Sequence, residues 1–200
     1  MPKITEIKPQ KNKKRVNIYL DGSYGFGLDL ENFVKLGLEI GRELGEVEIE
    51  EIIKKAQFQK NYDKALRFTS LRPRSKRELQ IWFTKHKVPE TLKKEIIARL
   101  EKLELVDDRK FAAWWVGQRL EFGAKSKRAL LAELKQKGVP GGVVEEVIKE
   151  AGVDERSSAI KLLEKKSRLW RGLDEFSARR KKSEYLFRNG YPWSVIREVV

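Results

Sequence analysis

Arg74 to Pro89 reads RSKRELQIWFTKHKVP, and Lys125 to Pro140 reads KSKRALLAELKQKGVP. Aligned without a gap, Ser75, Lys76, Arg77, Leu79, Val88 and Pro89 recur as Ser126, Lys127, Arg128, Leu130, Val139 and Pro140, at a constant offset of 51 residues. A weaker third copy, SARRKKSEYLFRNGYP from Ser177, matches Arg180, Leu186, Gly190 and Pro192 to Arg128, Leu134, Gly138 and Pro140. Repetition at such a period means one supersecondary unit used several times, each unable to bury its apolar face alone and therefore stacked on its neighbour.

Working outward, each copy follows an amphipathic helix (Tyr62 to Leu71, Phe111 to Phe122, Ser158 to Trp170). Each also precedes another helix, carrying Leu92, Ile96 and Ile97, then Val143, Val147 and Ile148, then Val195, Ile196 and Val199. The expected fold is mainly α: a tandem array of three-helix repeats at 57–106, 107–152 and 153–200, elongated and curved, behind a small β-hairpin region with short helices at 1–56. Ser75 with Glu78 reads as a capping box, Ser126 as a cap alone, and in the third copy Ala178 stands where the capping serine would be. Leu79, Trp82, Phe83 and His86 have the spacing of a buried stripe. The turns KHKVP, QKGVP and RNGYP put Gly138 and Gly190 where a helix end needs left-handed φ, with proline starting the next helix. Lys87 occupies the same place without the freedom of glycine and is expected to be strained.

At the N-terminus, RVNIYL, Asp21-Gly22 and SYGFGL form a hairpin signal. ITEIKP adds an edge strand that stops at Pro9, since proline cannot donate to a ladder. Asp29 caps a short helix through Phe33 and Leu36 that Gly37 ends, and a further helix starts near Glu46.

Forty-four Lys and Arg against 30 Asp and Glu give a formal net charge of +14, which favours polyanionic partners through counterion release. Nucleic acid leads; an anionic membrane comes second, since no apolar run approaches the ~20 residues that span a bilayer. MPKITEIKPQ lacks the apolar core of a signal peptide and the chain has no cysteine, so a cytoplasmic address is expected, with neither disulfides nor thiolate metal sites. With 40% hydrophobic residues the chain should fold despite its 37% charge. No phosphate-gripping G-x-x-x-x-G-K-[ST] and no nucleophile–base pair are present, and the sole histidine, His86, sits at a helix end; no catalysis, cofactor or metal is expected. DGSYGFG opens no helix and reads as a hairpin turn, and Asp107-Asp108 as the cap of the helix holding Phe111 and Trp115 rather than half a metal site.

The basic clusters are the informative surface. Arg72, Arg74, Lys76 and Arg77 recur in kind as Lys125, Lys127 and Arg128, and the third copy offers Arg179, Arg180, Lys181 and Lys182. Placed at or near the first turn of each middle helix, they would oppose the helix dipole, so stability does not account for them; stacked repeats would join them into one stripe facing a polyanion or an acidic protein face. Trp114 and Trp115 invite a single-strand stacking reading, but Trp115 shares a face with Phe111, Gln118 and Phe122 and belongs with the core. A helix-turn-helix reader is weaker, because cations at caps suit phosphate contact rather than base readout.

The strings Arg72-Pro73-Arg74-Ser75 with Glu78-Leu79, Asp107-Asp108 with Phe111-Ala112, Arg119 and Gly123, and Glu133-Leu134 with Lys137-Gly138-Val139 together resemble RecX, the regulatory protein of the RecA recombinase. The resemblance covers nearly the whole chain. It implies binding along the groove of the RecA filament on single-stranded DNA, bridging protomers and limiting filament growth or persistence, with consequences for recombination, repair and the SOS response; a monomer is expected, with double-stranded DNA as a further ligand. It also implies roles for Arg72, Arg74, Lys76, Arg77, Arg119, Lys125, Lys127 and Arg128, with Arg179 to Lys182 as a departure. The rivals are a sequence-nonspecific DNA-binding protein with no RecA partner and, more distantly, an RNA-processing enzyme.

Overall fold

The computed structural model, which describes residues 1–11 and 13–200, opens with three antiparallel strands in the order β1 (Ile4–Pro9), β2 (Arg15–Leu20), β3 (Ser23–Asp29). Asp21 and Gly22, at φ 47° and 80°, join Leu20 to Ser23 with the two left-handed residues that a tight hairpin turn requires. β1 is an edge strand and ends at Pro9, as the proline's inability to donate dictates. Val16, Ile18, Phe26 and Leu28 are buried with Ile4, Leu38, Leu44 and Ile52. Helix α1 (Leu30–Leu36) is capped by the Asp29 carboxylate, which accepts from the Asn32 amide, and closed by Gly37 at φ 57°.

Helix α2 (Glu46–Ser70) runs unbroken for 25 residues, so the helix expected near Glu46 and the one expected from Tyr62 are a single element; no glycine or proline interrupts them. The rest is helical: α3 (Lys76–Lys85), α4 (Glu90–Lys102), α5 (Asp108–Phe122), α6 (Lys127–Gln136), α7 (Gly141–Glu150), α8 (Glu155–Lys165), α9 (Glu175–Arg188) and α10 (Trp193–Val199). The protein is mainly α, with three-helix repeats that follow a small three-stranded sheet along the chain. It packs as two compact bodies, Met1–Phe68 with Val88–Ile96, and Thr69–Lys87 with Ile97–Val200.

In the second body, α5, α6 and α7 close over Phe111, Ala112, Val116, Leu130, Leu134, Val144, Val147 and Ile148. A second cluster gathers Ala159, Leu162, Leu163, Leu186, Tyr191 and Ile196 from α8, α9, α10 and their turns. Burial pushes the Tyr191 phenol up, and its hydroxyl donates to the Ala124 carbonyl at 3.2 Å.

The turns after the middle helices are as the glycines suggest. After α6, Gly138 (φ 80°) donates to Lys135 and Val139 to Leu134; after α9, Gly190 (φ 84°) donates to Phe187 and Tyr191 to Leu186, the paired closure of a Schellman motif. Lys87 takes φ 52° at the equivalent place with a side chain attached.

Four expectations are corrected. The α3 stripe is narrower than its spacing: Leu79 and Phe83 are buried, Trp82 is half-buried, and His86 is exposed with its ring stacked on Trp82 at 4.0 Å. Phe122 at the end of α5 is 65% exposed, whereas Trp115 packs against the core partly buried, its indole N–H donating to Glu133. The Glu78 carboxylate does not reach back to complete a capping box, because cations claim it. Helix α9 begins at Glu175, capped by Asp174, so Ala178 lies inside it and Arg179 to Lys182 fall in its second turn.

Candidate polyanion-binding surface

The starts of α3 and α6 are built alike, each completed by residues far along the chain. The Ser75 oxygen accepts from the Glu78 amide at 3.1 Å while its hydroxyl donates to the Lys137 carbonyl at 2.8 Å. Ser126 repeats this with Ala129 at 3.2 Å and Asn189 at 2.8 Å. The Lys76 amide donates to Asp108 at 2.9 Å, and the Lys127 amide to Glu155 at 3.0 Å. Two orphan N–H groups of each helix are thereby satisfied, one by its own serine and one by an acid of the following repeat. The glycine turns close the joint: a Cβ on Gly138 would stand 2.6 Å from Arg77, and one on Gly190 would stand 2.9 Å from the Ser126 oxygen.

Around these starts the predicted cations divide into paired and unpaired sets. Arg72 holds Glu78 through both terminal nitrogens, at 2.9 and 3.1 Å, and lies over the Trp114 ring at 5.1 Å. Arg74, mostly buried, stands 3.8 Å from the same carboxylate, and Lys137 reaches it at 3.1 Å. Burial alone would raise Glu78; the hydrogen bonds from Arg72 and Lys137 overcome it and hold the carboxyl below its ordinary value. Arg74 is itself pushed down by burial and by neighbouring Arg72. Glu133 is a second hub, accepting from Trp115 at 2.8 Å and Arg119 at 2.7 Å, with Lys125 at 3.2 Å. There too, burial is outweighed, by bonds from Arg119, Trp115 and Lys125. Lys76 pairs with Glu101 at 2.7 Å, a hydrogen bond that raises its pKa.

Stability therefore does account for part of the basic clustering, contrary to the expectation from the helix dipole. Arg72, Arg74, Lys76, Arg119 and Lys125 each answer a carboxylate. Arg180 approaches Glu184 at 3.7 Å on the exposed face of α9. Among the described residues, Arg77, Lys127, Arg128, Arg179, Lys181 and Lys182 form no salt bridge, and of these only Lys182 is partly buried. Arg77 and Arg128 hold the same place at successive joints, each beside a left-handed glycine. Lys137 and Arg188 escaped the sequence reading. Lys137 stands just after α6 and Arg188 is the last residue of α9, and the only signal was that the turns they lead into recur.

Three family models match the chain: the regulatory protein RecX N-terminal domain at residues 2–45, the RecX second three-helix domain at 107–148, and the RecX third three-helix domain at 154–200. Regulatory protein RecX of Bacillus licheniformis is 35% identical over 198 residues, spanning 98% of this chain and 75% of that protein. This chain belongs to the RecX family. Regulatory protein RecX of Bacillus subtilis is 31% identical over the same shares of both chains. A crystal structure of regulatory protein RecX, 27% identical, superposes with a TM-score of 0.73 over all of this chain and 98% of that one. Arg119, Lys125, Lys127 and Arg128 fall within the stretch matched by the second RecX three-helix domain, and Arg179 to Lys182 within the third. Among the described residues, no helix is long and apolar enough to cross a membrane.

Proposed function

We propose that this chain is a cytoplasmic, non-catalytic modulator of RecA. It acts as a monomer of three three-helix repeats, at 57–106, 107–152 and 153–200, that binds the RecA–single-stranded DNA filament along its groove and limits filament growth. Membership of the RecX family supports the regulatory role, and the observation that carries the binding mode is the recurrence of an exposed, unpaired arginine, Arg77 and then Arg128, at equivalent joints. Within the predicted site the roles divide. Arg77, Lys127, Arg128, Arg179, Lys181 and Lys182 contact phosphate or acidic protein surface, with Arg180 beside them, because a cation without an internal partner gives up no ion pair on binding. Arg72, Arg74, Lys76, Arg119 and Lys125 shape the joints from which the others project.

The test is RecA's DNA-dependent ATPase, measured with DNA in excess. Inhibition at substoichiometric amounts of this chain, unrelieved by more DNA, is the expected result. The net charge of +14 favours one rival, a DNA-binding protein indifferent to RecA. Inhibition that vanishes as DNA is added would establish that rival instead.

A further inference from the structure

Where the start of α6 meets the turn after α9, a shallow cleft of about 400 Å³ is lined by Lys125, Arg128, Ala129, Ala132, Phe187 and Arg188, among others. Beside it, Phe187 and Trp193 stack with centroids 5.5 Å apart and planes 27° apart, yet they stand 50% and 53% exposed. Two large rings stacked on each other and half in water do little for a core. Among the described residues neither Arg128 nor Arg188 has a salt bridge, whereas Lys125 is shared with Glu133 at 3.2 Å. Of the stacked pair Phe187 lines the cleft, which thus sets an aromatic ring beside two uncommitted guanidinium groups.

We infer that this cleft holds one nucleotide of single-stranded nucleic acid, its base stacked on the Phe187–Trp193 pair and its flanking phosphates on Arg128 and Arg188. Alternation of rings and cations is how single strands are gripped without regard to sequence, whereas an acidic peptide would use the guanidinium groups and leave the rings idle. A duplex keeps its bases stacked inside and offers none to the pair. Nor is the arrangement a by-product of the repeat: at the preceding joint the positions aligned with Phe187 and Trp193 are Lys135 and Gly141. Trp114 and Trp115, which the sequence offers for stacking, are half-buried and tilted against Phe111, with Arg72 and Arg119 already over them.

The inference refines the proposed single-strand contact and rests on that reading. Fluorescence anisotropy of the full chain with labelled oligothymidine, an abasic strand of equal length, a duplex and polyglutamate tests it without RecA. Oligothymidine should bind about tenfold tighter than the abasic strand, the range expected for one or two stacked bases. Phe187→Leu with Trp193→Ala should bring that ratio near one while abasic binding persists; Phe187→Tyr, which keeps a ring, should preserve it. Arg128→Ala with Arg188→Ala should weaken both strands. Equal affinity for the two strands in the unaltered chain, or a ratio that survives loss of both rings, overturns the cleft. So does polyglutamate binding as well as oligothymidine and responding to the same variants. If the ring variant still inhibits the RecA ATPase while the unaltered chain shows no preference for bases, the cleft fails and the RecA reading stands.

Discussion

The stem of Arg77 lies so close to Gly138 that a Cβ on the glycine would stand 2.6 Å from the Cβ and Cδ of the arginine. Two repeats therefore meet at a position where glycine is required twice over, for its φ of 80° and for the absence of a side chain.

Gly138→Ala combines a left-handed alanine with a steric conflict, and should destabilise the chain by about 2–4 kcal/mol in urea unfolding. Gly172 has the same φ of 80° with nothing within 4 Å of its would-be Cβ, so Gly172→Ala should lose only about 1 kcal/mol. Equal losses at the two glycines would mean that the joint is looser than its geometry.

Ser126→Ala removes both a helix cap and a donor to the Asn189 carbonyl from a fully buried position. A loss of about 1–2 kcal/mol is expected, with hydrogen exchange rising at the first turn of α6 and at the turn after α9 together. Exchange rising at α6 alone would deny the link between them.

Glu78 is held below its ordinary value of 4.5 by Arg72 and Lys137 against its own burial. A carboxylate depressed in the folded state binds fewer protons there than in the unfolded chain, so its contribution is complete above the unfolded value and disappears as pH falls through the folded one. Stability of the natural chain should therefore drop in that acid window, and Glu78→Gln should flatten the drop while lowering stability at neutral pH. A pH profile identical in both proteins would show the cluster to be energetically idle.

Replacing Arg77, Lys127 and Arg128 together by glutamine, which keeps the Arg77 stem against Gly138, should weaken single-strand binding and reduce the slope of log affinity against log salt by about 2, since each phosphate neutralised on a single strand contributes about 0.7. The melting temperature should change little, because among the described residues none of the three side chains is in a salt bridge. Arg72→Ala should do the opposite: it strips Glu78 of its bidentate partner and lowers stability, with little effect on the salt slope.

Lys87→Gly should stabilise the chain by about 1 kcal/mol, since Lys87 sits at φ 52° where both later copies carry glycine. Unchanged or lower stability would mean that the lysine side chain makes up for its backbone.

The repeat was legible because it is written in groups that dictate backbone geometry: the serines that cap, the glycines that turn left-handed and the prolines that follow. The hairpin at Asp21-Gly22 and the cap at Asp29 were legible for the same reason. What spacing could not convey was partnership over distance. Glu78 looked like half of a capping box because Ser75 is three residues away, but Arg72 and Lys137 outcompete the Ser75 amide for its carboxylate. Periodicity placed His86 and Phe122 on apolar faces at helix ends, but spacing did not reveal that no neighbour covers them there. The start of α9 was misjudged by alignment to Ser126, since Asp174 supplies a stronger and earlier cap. Charge counts likewise exposed a surplus of cations without telling which ones already had partners.

The Ser75 hydroxyl finds its acceptor 62 residues later, and that of Ser126 waits for one 63 residues on. On the ribosome, α3 and α6 consequently emerge with their leading edges unfinished, each to be completed only when the succeeding module has been made, whereas α9 carries its own cap in Asp174. Assembly is thus ratified backwards along the chain, and a lesion in one module is first felt at the threshold of the one before it.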